Sequence, residues 1–405
     1  MRILHFADAH LGRDDWGPIN PGTGLSARLG DYVGSLTEIV RAVDNRNVDL
    51  VVFTGDAFHS AHPTMTAMRA WARFLCSISA SAIPLVWIVG NHGVPGSWGR
   101  AHTADPFAAL NLERVYIVDR PQLISVETRA GAAQVVGIPY PSRHNVMASG
   151  KVDGLPKGAI NRLISDALVE TIQRLARQLD PSCVSILAAH LSVDGGDMGG
   201  GTPVGLGDEI SLPLEAVALP QFDYVALGHL HKHQSLNDNP PMIYSGSIER
   251  NDFGEENEER GFMVVDVGRE GDQAITRTEF VPLAARQFTT IQVTLDGSDP
   301  TAAVLEAMEG REIEDAVVRV IVEGTPAQAA LLDEGRINRA LAPALRGNII
   351  KRIERETRTR LGDVAYEEMA PLDLLRAYLS SNGRAPEECE TLMTAAEELM
   401  KEETA

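Results

Sequence analysis

Five short apolar runs in this chain each stop at a residue able to hold a cation or a phosphate. RILHF leads into Asp8 and His10, VVFTG into Asp56, VWIVG into Asn91 and His92, ILAA into His190, and VALG into His229 and His231. A run of four to eight apolar residues bounded by turn residues reads as a strand buried on both faces. One such strand end would mean little. Five of them, all rich in Asp, Asn and His, predict a shared cleft where the strands stop, which is where ligands bind in layered α/β sheets.

The 405 residues suffice for one large domain and one or two small ones. Apolar content of 44% and charged content of 23% are ordinary for a globular chain. No run approaches the ~18 apolar residues of a membrane span. The N-terminal MRILHFADAH lacks the long apolar stretch and cleavage site of a signal peptide, so a cytoplasmic location is expected. The net charge of −20 argues against charge-driven coating of nucleic acid or anionic membrane. It leaves DNA open as a substrate, because bound divalent cations reverse the field of an acidic site. Local basic stretches, Lys232–His233 and Arg352–Arg360, also remain. Cys76, Cys183 and Cys389 form no C-x-x-C pair, and the apolar surroundings of Cys76 and Cys183 predict buried thiols.

Residues 1–285 alternate strands and helices. Strands are expected at 1–6, 50–54, 85–89, 134–138, 184–188, 224–227, 242–244 and 261–267. Leu36, Ile39, Val40 and Val43 follow a 3.6-residue period, as do Ile164, Leu168, Ile172 and Leu175. Strands outnumber helices in the later half, which predicts an α/β fold built as a β-sandwich flanked by helices. Residues 286–350 read as a separate β-α-β-α accessory unit, without histidine. Residues 351–405 form a tail, helical from Pro371. Between Leu361 and Ala405 it holds 11 Asp and Glu against 3 Lys and Arg, a net of −8. Leu372, Leu375 and Leu379, then Leu392 and Leu399, give it two amphipathic helices with a turn at Gly383 and Pro386. Their apolar faces suit either the protein's own body or a partner. Gly195–Gly201, GGDMGGG, lacks the Lys-Ser/Thr of a P-loop and reads as a loop beside His190.

The candidate ligands are oxygen and imidazole with no thiolate, a set suited to manganese, iron or zinc. Two metals ~3.5–4 Å apart need a bridging carboxylate, and Asp56 in the TGD strand end is the best placed. Asp8 and His10, and again His229 and His231, are separated by one residue and so point the same way from an extended segment. Two such pairs from opposite ends of one domain are hard to explain as core packing.

The order D-x-H, GD, GNH, H, GH-x-H over residues 1–235 resembles the calcineurin-like metallophosphoesterase superfamily. FADAHLGR, GDAFH, FDYVALGHLHKHQ and above all IYSGSIERNDFGEENEERGF narrow the resemblance to the SbcD family, the exonuclease subunits of bacterial double-strand-break repair. That resemblance implies one metal on Asp8, His10, Asp56 and His231, and a second on Asp56, Asn91, His190 and His229. His92 would act beside the scissile phosphate on the leaving oxygen. His59 would touch substrate or stand behind the metal ligands. His5, His62, His102, His144 and His233 have no such role.

The resemblance further implies two manganese ions per chain and hydrolysis of DNA, as a 3′-to-5′ double-strand exonuclease and single-strand endonuclease. It implies an accessory domain that caps DNA and an SbcC-type, SMC-like ATPase as partner, docked on the C-terminal helices. A homodimer through helices near 65–80 and 105–113 is also expected. One departure stands out: the family reads GNHD or GNHE, and this chain has Gly93. Two alternatives therefore stay open, another calcineurin-like phosphoesterase, or a DNA-end tethering subunit with weak catalysis.

Overall fold

The computed structural model describes all residues except 95–100, 142–154, 200–208, 271–272, 296–298, 354–369, 382–385 and 403–405. In chain order it runs β1 (Arg2–Phe6), α1 (Ala27–Asn45), β2 (Leu50–Phe53), α2 (Met65–Ala80), β3 (Leu85–Ile88), α3 (Asp105–Ala109), β4 (Val115–Val118), β5 (Gln122–Thr128) and β6 (Gly131–Ile138). It continues with α4 (Lys157–Ala176), β7 (Val184–His190), β8 (Ser192–Val193), β9 (Ser211–Leu212), α5 (Leu214–Val217), β10 (Tyr224–Gly228), β11 (Gln234–Asp238), β12 (Pro241–Tyr244), β13 (Gly261–Glu270) and β14 (Gln273–Pro282). Beyond these lie β15 (Phe288–Thr294), α6 (Pro300–Met308), β16 (Val317–Gly324), α7 (Pro326–Ala330), α8 (Glu334–Ala340), β17 (Arg346–Ile353), α9 (Pro371–Ser381) and α10 (Pro386–Glu402).

Two six-stranded sheets face each other, in the orders β14-β13-β1-β2-β3-β4 and β11-β12-β10-β7-β6-β5. β1 to β4 run parallel, as do β6, β7, β10 and β12. Alternation along each strand explains the unbroken apolar runs. In β2, Leu50 and Val52 point between the sheets, where they meet Ile186, Ala188 and Ala226. Val51 and Phe53 point outward, to Leu36 and Ile39 of α1 and Trp71 and Leu75 of α2. The second sheet repeats the scheme, with Val136, Leu187 and Val225 under Ile164, Leu168 and Ile172 of α4. The result is the expected sandwich between helical layers.

Local signals set the helix starts. Ser26 accepts from the Arg28 amide to cap α1, and Thr64 accepts from the Ala67 amide to cap α2. In the outer core Trp71 lies 4.8 Å from Phe53, 4.9 Å from Phe74 and 5.3 Å from Trp87, centre to centre. Such aromatic pairs contribute about 0.5–1.5 kcal/mol each beyond burial. Cys76 corrects an expectation: it is exposed, because the buried stripe of α2 runs through Ala67, Trp71, Leu75 and Ile78 and leaves Cys76 on the other side. Cys183 is half-buried.

The small unit is a three-stranded parallel sheet, β15-β16-β17. Its third strand, which the reading of alternating β-α-β-α passed over, is mostly exposed and sets Ile349, Ile350 and Ile353 among polar residues. At the C-terminal end α9 packs on α10, with Leu379 and Met393 buried and Leu392, Leu399 and Met400 exposed. Gly383 lies outside the described residues, as do Gly200, Gly201, His144 and 354–360 of the second basic stretch. Among the described residues no helix is long and apolar enough to cross a membrane.

Candidate metal centre

The parallel strands β1, β2, β3, β7 and β10 all end on one side of the sandwich, and the backbone then curls sharply. Asp8, His10, Asp56 and His229 adopt φ values of 52°, 42°, 55° and 100°. Positive φ is costly for residues with a Cβ and concentrates at functional sites. Cross-links fix the curl: the amides of Asp8 and His10 donate to the carbonyls of Gly55 and Asp56, each at 3.0 Å. Two glycines make room. A Cβ on Gly55, itself at φ 108°, would fall 2.2 Å from His190 Nδ1, and one on Gly90 would fall 2.2 Å from Asp56 Oδ1.

All seven expected ligands converge. His10 Nε2 and His231 Nε2 lie 2.9 Å apart, with the Asp8 carboxylate 4.0 Å from His10 Nε2. Asn91 Oδ1 lies 2.9 Å from His190 Nε2 and 3.0 Å from His229 Nδ1. Asp56 Oδ2 is 3.3 Å from His190 Nε2 and 4.0 Å from His92 Nε2, while its Oδ1 accepts from the His92 amide at 2.9 Å. Asp8, His10 and His231 form one cluster with donor atoms within 4.8 Å, and Asp8, Asp56 and His190 form a second. His10, His59 and His92 form a third cluster, their ring nitrogens also within 4.8 Å of one another.

These donors fit divalent cations. Two ligands at right angles, each ~2.1 Å from an ion, sit about 3 Å apart, the spacing seen here between facing imidazole nitrogens. Asp8 and Asp56 are both buried, and the ion pairs recorded for them are with histidines only. Buried carboxylates without Lys or Arg need another positive charge. Burial pushes the Asp8 carboxyl up, whereas Asp56 is held below the usual carboxylate range, since the neighbouring His190 outweighs its burial.

Four of the imidazoles are aimed by a contact at the nitrogen turned away from the cluster, as metal-binding histidines are. His190 Nδ1 is 2.6 Å from the Thr54 carbonyl. His92 Nδ1 is 2.7 Å from the His59 carbonyl. His229 Nε2 faces Glu209 at 3.0 Å, and His231 Nδ1 faces Glu255 at 2.7 Å. Glu255 is itself buried, paired to Arg260 at 2.9 Å, and holds a pKa of about 2: burial raises it, but His231 and Arg260 prevail. His10 Nδ1 is buried without a hydrogen bond. Sequence reading missed Glu209 and Glu255 as partners. The DFGE motif contains Glu255, and its distance of 24 residues from His231 gives no local cue.

His59 stands beside the cluster, its ring stacked on His92 at 5.3 Å. The remaining histidines lie elsewhere. His5 is in the core between Tyr224 Oη and Thr54 Oγ1, His62 is exposed, His102 pairs with Asp105 at 3.0 Å, and His233 stacks on Phe280 at 4.1 Å. Asp105 is thus engaged with His102. Lys232 pairs with Asp197 and Arg352 with Glu323, so both basic stretches are partly neutralised.

The family model for calcineurin-like phosphoesterases matches residues 1–233. The chain is 29% identical to the SbcD component of the nuclease SbcCD from Staphylococcus epidermidis over 285 residues, 70% of each chain. It is 27% identical to the protein of that name from Bacillus subtilis over 290 residues, 68% of each. Among solved structures, a dimetal phosphatase from Danio rerio aligns over 70% of this chain and 98% of its own, with a TM-score of 0.38 and 13% identity.

Proposed function

The chain belongs to the calcineurin-like phosphoesterase family, and on that premise we propose that it is the manganese-dependent nuclease subunit of an SbcC–SbcD-type DNA repair complex. One observation carries the reading: donor side chains from five strand ends converge, and among them two overlapping clusters share Asp8. Asp8, His10, Asp56 and His231 would hold one cation, and Asp56, Asn91, His190 and His229 the other. When bound, such a pair acidifies a water and neutralises phosphate charge.

The chain's own groups do the rest. Asp56 belongs to the cluster with Asp8 and His190, and its Oδ1 accepts from the His92 amide. The His59 carbonyl accepts from His92 Nδ1, which turns Nε2 toward the cleft. From there Nε2 can give a proton to the leaving oxygen of a phosphodiester. The buried walls keep both carboxylates out of bulk water, where their field would be screened.

The finer assignment follows the resemblance read in the sequence: 3′-to-5′ exonuclease action on duplex ends and endonuclease action on single strands, in the cytoplasm near the nucleoid. The β15–β17 unit would cap the DNA. The acidic α9–α10 hairpin, with Leu392, Leu399 and Met400 exposed, would dock on an SMC-like ATPase. Met65 at the start of α2 and Leu110 just after α3, 81% and 63% exposed, are apolar side chains that a homodimer through α2 and α3 would cover. Light scattering that returned a monomer mass at micromolar concentration would refute the dimer.

The test of function compares labelled duplex ends with small phosphate monoesters in manganese. Faster turnover of the DNA is expected. Preference for the small ester would instead place the chain with the monoesterases of its family.

A further inference from the structure

The short turn that carries Glu255 joins two parts of the molecule. Phe253, Gly254 and Glu255 make a single 3₁₀ turn, capped by Asp252, whose Oδ1 accepts the Gly254 amide at 2.8 Å. At three residues per turn, Phe253 and Glu255 project to different sides. Glu255 points to the metal centre. Its Oε1 lies 2.7 Å from His231 Nδ1, and its Oε2 accepts the Asn251 amide at 2.8 Å.

Phe253 points into the small domain. Its ring meets Phe288 of β15 at 5.0 Å, edge to face, and the Arg319 guanidinium of β16 sits 4.3 Å over its centre. Val317 and Leu345 complete that apolar patch. Trp16, from the loop after His10, closes the other side at 5.1 Å. The next residue repeats the link: Glu256 accepts from Thr290 Oγ1 of β15, and that hydroxyl accepts from Arg319 Nε at 2.8 Å.

We propose that the small domain sets the position of His231, and with it the cation affinity of the Asp8–His10–His231 cluster, through the Phe253–Glu255 turn. The proposal rests on the metal reading of that cluster. Phe253, Phe288 and Arg319 are positioning residues. A capped three-residue turn moves as a unit, so displacing Phe253 displaces the Glu255 carboxylate. Glu255 holds the tilt of the His231 ring and favours a proton on Nδ1, which leaves Nε2 to face His10 Nε2 at 2.9 Å. The second cluster takes its outer contacts from Thr54 and Glu209 instead. The coupling is therefore selective for one of two ions.

Manganese calorimetry on the chelator-stripped full chain tests it. The wild type binds two ions. Phe288→Ala weakens one of them by about tenfold or more and leaves the other within about twofold, the scale at which partners of metal-binding histidines act. In a Glu255→Gln background Phe288→Ala adds nothing, because the path is already cut. Val320→Ala, in the small domain's own core, leaves both affinities as they were. Should Phe288→Ala fail to fold, Arg319→Gln removes the cation over Phe253 and carries the same expectations.

Wild-type affinity in Phe288→Ala overturns the proposal. So does an undiminished effect of Phe288→Ala in the Glu255→Gln background, or an equal loss in Val320→Ala. A wild type that binds fewer than two ions overturns the metal reading and the coupling together. Two ions with insensitive variants overturn the coupling alone.

Discussion

The His92 imidazole is aimed by the main chain of His59: Nδ1 lies 2.7 Å from the His59 carbonyl oxygen. This contact matters because the residue after His92 is Gly93, where the resemblance read in the sequence leads one to expect an acid. Gly93 faces Thr103, and a Cβ there would fall 2.7 Å from Thr103 Oγ1. Asp105 is committed to His102. The carbonyl supplies the acceptor that an acid would otherwise provide, so the glycine leaves the imidazole oriented.

Gly93→Asp should accordingly change the cleavage rate by less than about threefold. Single-turnover cleavage of labelled duplex ends measures it. A tenfold gain would mean that the carbonyl is an inadequate substitute and would favour the weak-catalysis alternative.

His92→Ala should lower turnover by roughly 10²–10⁴ while keeping both ions, if its proposed role is proton donation without a ligand atom. Asp56→Ala should lose turnover and metal together. Elemental analysis of both variants separates the roles. Loss of an ion from His92→Ala would make His92 a ligand.

Asp8→Asn should raise the melting temperature of the chelator-stripped protein by a few degrees while abolishing manganese affinity at its cluster. Burial raises the Asp8 pKa above its unfolded value. The fold therefore favours the protonated form, and stability present below the unfolded pKa is lost as pH rises through the folded one. At neutral pH the neutral isostere avoids that cost. A lower melting temperature in Asp8→Asn would show that the carboxylate is adequately compensated by its histidines.

Manganese affinity should rise with pH through neutrality and level off near pH 9. Burial opposes charge on His190, yet Asp56 outweighs it and lifts the pKa to about 9. His231 is also raised, with Glu255 prevailing over burial. An ion needs the neutral ring, so loading below that pH releases protons. In the stripped protein the raised His190 pKa acts in reverse: it stabilises the fold at low pH, and that contribution is lost as pH rises through about 9. Calorimetry in buffers of different ionisation enthalpy reads the proton release directly, and none at neutral pH would contradict the assignment.

Removing residues 371–405 should abolish co-purification with the proposed SbcC-type ATPase and leave manganese-dependent cleavage by the remaining chain in place. Retention of the partner by the truncated protein would move the docking surface elsewhere.

What the sequence determined by itself was local. Apolar runs ending in Asp, Asn and His marked β1, β2, β3, β7 and β10 and the seven polar side chains that the structure brings together at their ends, because period and turn chemistry act within a few residues. β4, β5, β11 and β17 escaped, as did the exposed face that holds Cys76. Only the tertiary structure decided what stands behind the donors. Thr54 and His190 are 136 residues apart, His59 and His92 are 33 apart, and Glu255 reaches His231 across 24. Those contacts exist because two sheets bring their strand ends to one side, and two of them use backbone carbonyls, which every residue possesses and no motif can announce.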